Sequence, residues 1–155
     1  MNRVLFRAEE LPLPLWTNEA RAYVRKVLAV LGLDNWELSV LFCNNRYIKT
    51  LNAQYRNRDE PTDVLSFSLG EEPGRAGAAG TETGPYLAGD IVISLDALKE
   101  NAQFFEVPEE EELRRLLVHG ILHLAGEDHA SNEAEEPMLK KQEEILRTLA
   151  RRFPS

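Results

Sequence analysis

The three histidines of this chain constrain it most, because all fall within eleven residues, His119-Gly120-Ile121-Leu122-His123-Leu124-Ala125-Gly126-Glu127-Asp128-His129. A spacing of four puts His119 and His123 one turn apart on one face of a helix, near enough for both imidazoles to reach a single ion. The helix must then stop. Gly126 accepts left-handed backbone without steric cost, so it can end the helix and bring His129 back to the same point, which an unbroken helix would not do. Neutral imidazoles suit zinc, copper, iron and nickel. Three histidines with no cysteine and no adjacent fourth ligand best match a catalytic zinc site that keeps one position open for water. Two plainer readings stay open. The histidines can be capped core residues of an amphipathic helix, with His129 a coincidence, or the zinc can be a closed structural site completed by a fourth ligand not evident in the sequence. Asp128 either orients an imidazole from behind or is an exposed turn residue.

The histidine segment closes a longer apolar helix. Pro108 in a first-turn position and the acidic run Glu109 to Glu112 open it at its positive end, and Leu113, Leu116, Leu117, Ile121 and Leu124 give it a broad apolar face. This reads as the central, buried helix. Upstream, a helix capped by Thr17 runs to about Leu31 and is stopped by Gly32. Trp36 to Phe42 approximates a period of two and reads as a strand. Asn44 or Asn45 caps a helix over about Arg46 to Tyr55, with Tyr47, Ile48, Leu51 and Tyr55 inward and Arg56 at its boundary. Thr62 to Ser68 and Asp90 to Leu95 read as strands, the second buried on both faces, and the Gly- and Ala-rich stretch Gly70 to Gly89 as a long hairpin connection between them. Helices are expected over Asp96 to Phe105 and Glu136 to Arg152. The fold class is α+β: a small mixed sheet packed with helices, the central helix carrying the candidate metal ligands and ending in a glycine turn.

Size and composition fit this picture. At 155 residues, 43 % of them hydrophobic, the chain is the length of one domain, 1–155, able to bury a core without staples. No apolar run reaches the 18 residues of a membrane span, and Met1 to Trp16 mixes Arg3, Arg7, Glu9 and Glu10 with prolines, unlike a signal peptide. A cytoplasmic, membrane-free protein is the expectation. Cys43 is the single cysteine, which excludes an internal disulfide framework and a multi-cysteine zinc site, and it reads as a small buried hydrophobe. The net charge of −8 disfavours indiscriminate binding to phosphate backbones. The charge is lopsided, however: residues 1–60 carry nine Lys and Arg against seven Asp and Glu, residues 61–155 nine against nineteen. Arg46, Lys49, Arg56 and Arg58 are close enough in sequence to form a cationic strip, or simply a solvated helix face.

Zinc proteases of the HExxH type place a glutamate directly after the first histidine as general base. Here that residue is Gly120, which cannot accept a proton and suggests another backbone approaching closely. Peptide hydrolysis therefore ranks low. VHGILHLAGEDH resembles instead the HGxLHLxGxDH motif of the YbeY family of single-strand-specific endoribonucleases. LNAQYRNRDEPTDVLSF, AGDIVIS and MLKKQEEIL resemble three further family segments, in family order, so the likeness spans most of Leu51 to Leu146. Departures are small: Glu127 where an aromatic is common, Ala88 for a leucine, and the long glycine-rich loop.

The resemblance implies one zinc ion held by His119, His123 and His129 plus water, with Arg56 and His119 as catalytic residues beside the metal cleft. It also implies single-stranded ribosomal RNA as substrate, with no role for DNA or a membrane. The expected function is maturation of the 16S 3′ end and ribosome quality control, with the small ribosomal subunit and its assembly factors as partners. Two alternatives are kept: a ribosome-assembly binding factor with a mainly structural zinc, and a zinc hydrolase of some other substrate.

Overall fold

A computed structural model describes residues 1–69, 84–127, 133 and 136–152. Four strands, β1 (Arg3–Ala8), β2 (Trp36–Cys43), β3 (Val64–Ser68) and β4 (Tyr86–Ser94), form one sheet in the order β1-β2-β4-β3. β1 and β4 run parallel to β2, and β3 runs antiparallel to β4. Among the described residues five helices pack around it: α1 (Thr17–Val30), α2 (Asn45–Arg56), α3 (Leu95–Phe105), α4 (Glu109–Leu124) and α5 (Pro137–Arg152). The expected mixed-sheet α+β class is the one observed. No helix among the described residues is long and apolar enough to cross a membrane.

Alternation in the strands sorts residues between two faces. Val4, Trp36, Leu38, Val40, Phe42, Ile91 and Ile93 point into the main core, where they meet Val24, Val27 and Leu28 of α1, Leu117, Ile121 and Leu124 of α4, and Met138, Ile145 and Leu149 of α5. Leu41, Cys43, Leu65 and Val92 point the other way and are covered by Ile48 of α2. The second half of β4 is thus buried on both faces, as its continuous apolar run requires. Cys43 is fully buried, and burial pushes its thiol up to about 12, in keeping with a packing role.

Several boundaries differ from expectation for local reasons. β1 occupies a stretch read only as charged and proline-containing: Val4 and Phe6 alternate with Leu5 and Arg7, a pattern too short to stand out before β2 supplies a partner. Trp16 takes the cap position of α1, while the Thr17 hydroxyl donates to the Pro14 carbonyl at 2.6 Å. At α2 the cap is Asn44, whose side chain accepts from the Tyr47 amide at 2.8 Å. β4 begins at Tyr86 and so includes part of the stretch read as loop, while residues 70–83 lie outside the described residues.

This early part of β4 needs a glycine. The ladder to β2 skips a residue between Glu37–Leu87 and Leu38–Gly89, and Gly89 takes up the irregularity at φ +141°. A Cβ there would run into the Phe67 carbonyl of β3. Gly89→Ala should therefore cost about 2 kcal/mol or more, read as a lower denaturant midpoint at unchanged m-value.

α4 and α5 are joined by an ion pair. Arg115 reaches Glu143 through two contacts, Nε–Oε2 at 2.9 Å and Nη2–Oε1 at 3.0 Å, and also approaches Glu111 and Glu112. The guanidinium holds the Glu143 carboxyl below its ordinary value. A depressed carboxylate stabilises the fold above its unfolded pKa and loses that contribution as pH falls through the folded one. Glu143→Gln should accordingly be less stable than wild type at pH 7, and the gap should close as pH drops below about 4. Chemical denaturation across pH measures this.

Candidate functional site

α4 is held by burial on the sheet rather than by helix propensity. Leu116, Leu117, Ile121, Leu122 and Leu124 are buried, each contributing roughly 1.5–3 kcal/mol, which outweighs the ~1 kcal/mol cost of Gly120 in a helix interior. Gly120 faces β4: a Cβ would stand 2.8–3.0 Å from three side-chain atoms of Ile91. The close neighbour is thus a side chain and not, as expected, another backbone. The Ser66 hydroxyl of β3 donates to the Gly120 carbonyl at 3.4 Å, tying the same turn to the edge strand.

His119, directly before Gly120, and His123, one turn further along α4, emerge half-buried on the same helix face. Their rings meet edge to face with centroids 4.7 Å apart, and the two Nε2 atoms lie 3.2 Å from each other. Both line a cleft of 160 Å³ whose other walls are Val64, Leu65, Ser66 and Ser68 of β3 and Arg56 of α2. The cleft opens at the C-terminal end of α4, where the partial negative charge of the helix favours a cation. After Leu124 the chain turns through Ala125 and Gly126, the latter at φ +93°, so the glycine takes the left-handed backbone predicted for it. His129 and Asp128 lie outside the described residues. Among the described residues no group of three His, Cys, Asp or Glu is gathered to hold a metal.

Arg56 is the last residue of α2, as its place before the turn suggested. Asn57 leaves the helix in left-handed backbone, its amide bonded to the Asn52 carbonyl. This exit lets Arg56 reach around the edge of β3, where Nη2 donates to the Ser66 carbonyl at 3.1 Å. The backbone of β3 thus anchors the guanidinium at the mouth of the histidine cleft, and a guanidinium has five N–H donors, more than one carbonyl uses. The rest of the supposed cationic strip behaves differently. Arg46, Lys49 and Arg58 lie 3.9–4.0 Å from Glu10, Asp59 and Glu60 in exposed pairs, so it is partly neutralised and only Arg56 lines the cleft. Tyr55, expected inward, is 61 % exposed and rests edge-on against Phe67.

Two site residues escaped the sequence reading. Ser66, inside the PTDVLSF segment, contributes both of its polar groups: the carbonyl holds Arg56 and the hydroxyl holds α4. Gln142 of α5 is 6 % exposed, and its Oε1 lies 2.8 Å from Nδ1 of His119. A signal for Gln142 was present, since it is the one polar residue in the stripe Met138, Gln142, Ile145, Leu149, which has the spacing of a buried helix face.

The arrangement combines convergent imidazoles, a cation anchored beside them and a small open cleft, which suits chemistry on an anionic group. The chain is similar to known proteins over most of its length. The family profile described as Endoribonuclease YbeY matches residues 7–150. An endoribonuclease YbeY of Treponema denticola is 55 % identical over 124 residues, covering 80 % of this chain and 77 % of that protein. Another, from Persephonella marina, is 38 % identical over 154 residues, covering 99 % and 96 %. The solution structure of a Thermotoga maritima protein superposes with a TM-score of 0.60 at 28 % identity, covering 97 % of this chain and 91 % of that one. With the matched segment containing β3, α4, most of α5 and Arg56, the chain belongs to the endoribonuclease YbeY family.

Proposed function

We propose that this chain is a cytoplasmic, zinc-dependent endoribonuclease specific for single-stranded RNA, acting on the 16S 3′ end during ribosomal-RNA maturation and in ribosome quality control. The observation that carries the metal reading is the 3.2 Å separation of the His119 and His123 Nε2 atoms. Two nitrogens bound to one tetrahedral zinc at about 2.0–2.1 Å stand about 3.3 Å apart, so the pair is already spaced for the ion. In this reading His119 and His123 would hold the ion together with His129, which follows Gly126 in the sequence, leaving room for water. A zinc ion held there would supply a water of near-neutral pKa and offset negative charge on a phosphodiester.

The chain's own residues do the rest. Arg56 pairs with the non-bridging phosphate oxygens, which a planar guanidinium matches with parallel hydrogen bonds, and offsets the charge developing at phosphorus. Ser66 keeps that guanidinium at the cleft mouth. Val64 and Leu65 give the cleft a partly apolar wall, which reduces screening of these charges. Attack by water and attack by the RNA's own 2′-hydroxyl are both compatible with these groups, and the chemistry of the product ends distinguishes them.

The second reading, a ribosome-assembly factor whose zinc only holds the fold, draws on the net charge of −8. Cleavage of a single-stranded 16S precursor fragment by metal-quantified wild type beside Arg56→Ala separates the two. Arg56 is exposed, so the variant should fold and hold zinc normally yet cut about 100-fold more slowly or worse. Equal or absent cutting by both, with one zinc bound, supports the assembly factor. His123→Ala should lose most of its zinc on dialysis, measured by elemental analysis, and normal stoichiometry in that variant removes His123 from the ligand set.

A further inference from the structure

Gln142 is a buried amide in an otherwise apolar helix stripe, and its two polar atoms face different partners. Nε2 lies 3.1 Å from Oε2 of Glu143, while Oε1 lies 2.8 Å from Nδ1 of His119. Glu143 is itself gripped at both carboxylate oxygens by Arg115, at 2.9 and 3.0 Å, so it is ionised and can only accept. The amide therefore has one satisfactory orientation: its NH2 toward Glu143, its carbonyl oxygen toward His119. A carbonyl cannot donate, so Nδ1 of His119 must carry the proton, and the neutral ring then keeps its lone pair on Nε2. That is the atom 3.2 Å from Nε2 of His123 at the cleft. An imidazole in water prefers the other tautomer, with the proton on Nε2, where it would block a metal.

We infer that Gln142 is a positioning residue that locks His119 in its metal-ready tautomer, acting as the last link of a chain that runs Arg115–Glu143–Gln142–His119. The inference deepens the zinc reading of the cleft and rests on it for its consequence, though not for the tautomer itself. The chain crosses from α4 to α5 and back, so docking of α5 sets the proton position on an α4 histidine before any ion arrives. Affinity is gained because the lone pair is prepared in advance and the ring cannot swivel, and such supporting hydrogen bonds change metal affinity by about 10–100-fold.

Two measurements on the full chain test this. The first is the 15N spectrum of the imidazoles in metal-free protein, which distinguishes the tautomers without reference to zinc. The second is zinc affinity by chelator competition. Wild type should show His119 with its proton on Nδ1. Gln142→Met, similar in length and suited to a buried helix position, should show mixed tautomers and bind zinc about 10–100-fold more weakly with its thermal unfolding retained. A wild-type spectrum with the proton on Nε2, or a folded Gln142→Met with wild-type tautomer and affinity, overturns the inference. Wild type that shows the Nδ1 proton but binds no zinc would leave the tautomer lock standing and remove the metal reading instead.

Discussion

Helix α4 can settle onto β3 and β4 because Gly120 has no side chain. Any Cβ there would stand 2.8–3.0 Å from the side chain of Ile91, a fully buried β-branched residue with little freedom to yield. The close contact also brings the Gly120 carbonyl within reach of the Ser66 hydroxyl. Because β3 is the edge strand and Ser66 also holds Arg56, one short stretch of strand sets the helix carrying the histidines and the arginine opposite them. A larger residue at 120 would push α4 outward and widen the cleft, disturbing spacings that depend on tenths of an ångström. The glycine that excludes a general base of the zinc-protease kind is the same residue that makes this geometry possible.

Around that seam the charges form a continuous polar web rather than isolated surface pairs. Asn101 of α3 donates to Asp63 and to Glu112, each at 3.1 Å, and Arg115 approaches Glu111, Glu112 and Glu143. Burial raises the pKa of Glu112, with Asn101 and Arg115 opposing it, while the Arg115 pair lowers that of Glu143. The web joins α3, α4 and α5 behind the cleft and ends, through Gln142, on a histidine. Its main effect is orientation: partly buried ion pairs contribute modestly to stability, but hydrogen bonds with one satisfactory direction fix amide and imidazole geometry.

Local signals carried much of the architecture into the sequence reading. An asparagine cap on α2, the acidic opening of α4 and the glycine after Leu124 each act through neighbouring backbone, so residue type at a given spacing was enough, while Pro108, expected in the first turn of α4, takes its cap position instead. β1 was missed because six residues with one buried position become a strand only when β2 offers its edge. The start of β4 was hidden in a glycine-rich stretch, since the need for Gly89 comes from a carbonyl on another strand. Tyr55 follows the inward spacing of α2 yet stays exposed, because β3 is the edge strand and its Phe67 gives the ring only an edge to rest on.

By itself the sequence determined the pairing of His119 with His123, the left-handed turn at Gly126, the place of Arg56 at the end of α2 and the family motifs, because these depend on helix period and local backbone preference. Only the tertiary structure decided that Ser66 anchors Arg56 at the histidine cleft and that Gln142 faces Nδ1 of His119, contacts between residues 10 and 23 positions apart. Such contacts arise when helices dock on a sheet, and no spacing rule along one element encodes where another element will lie.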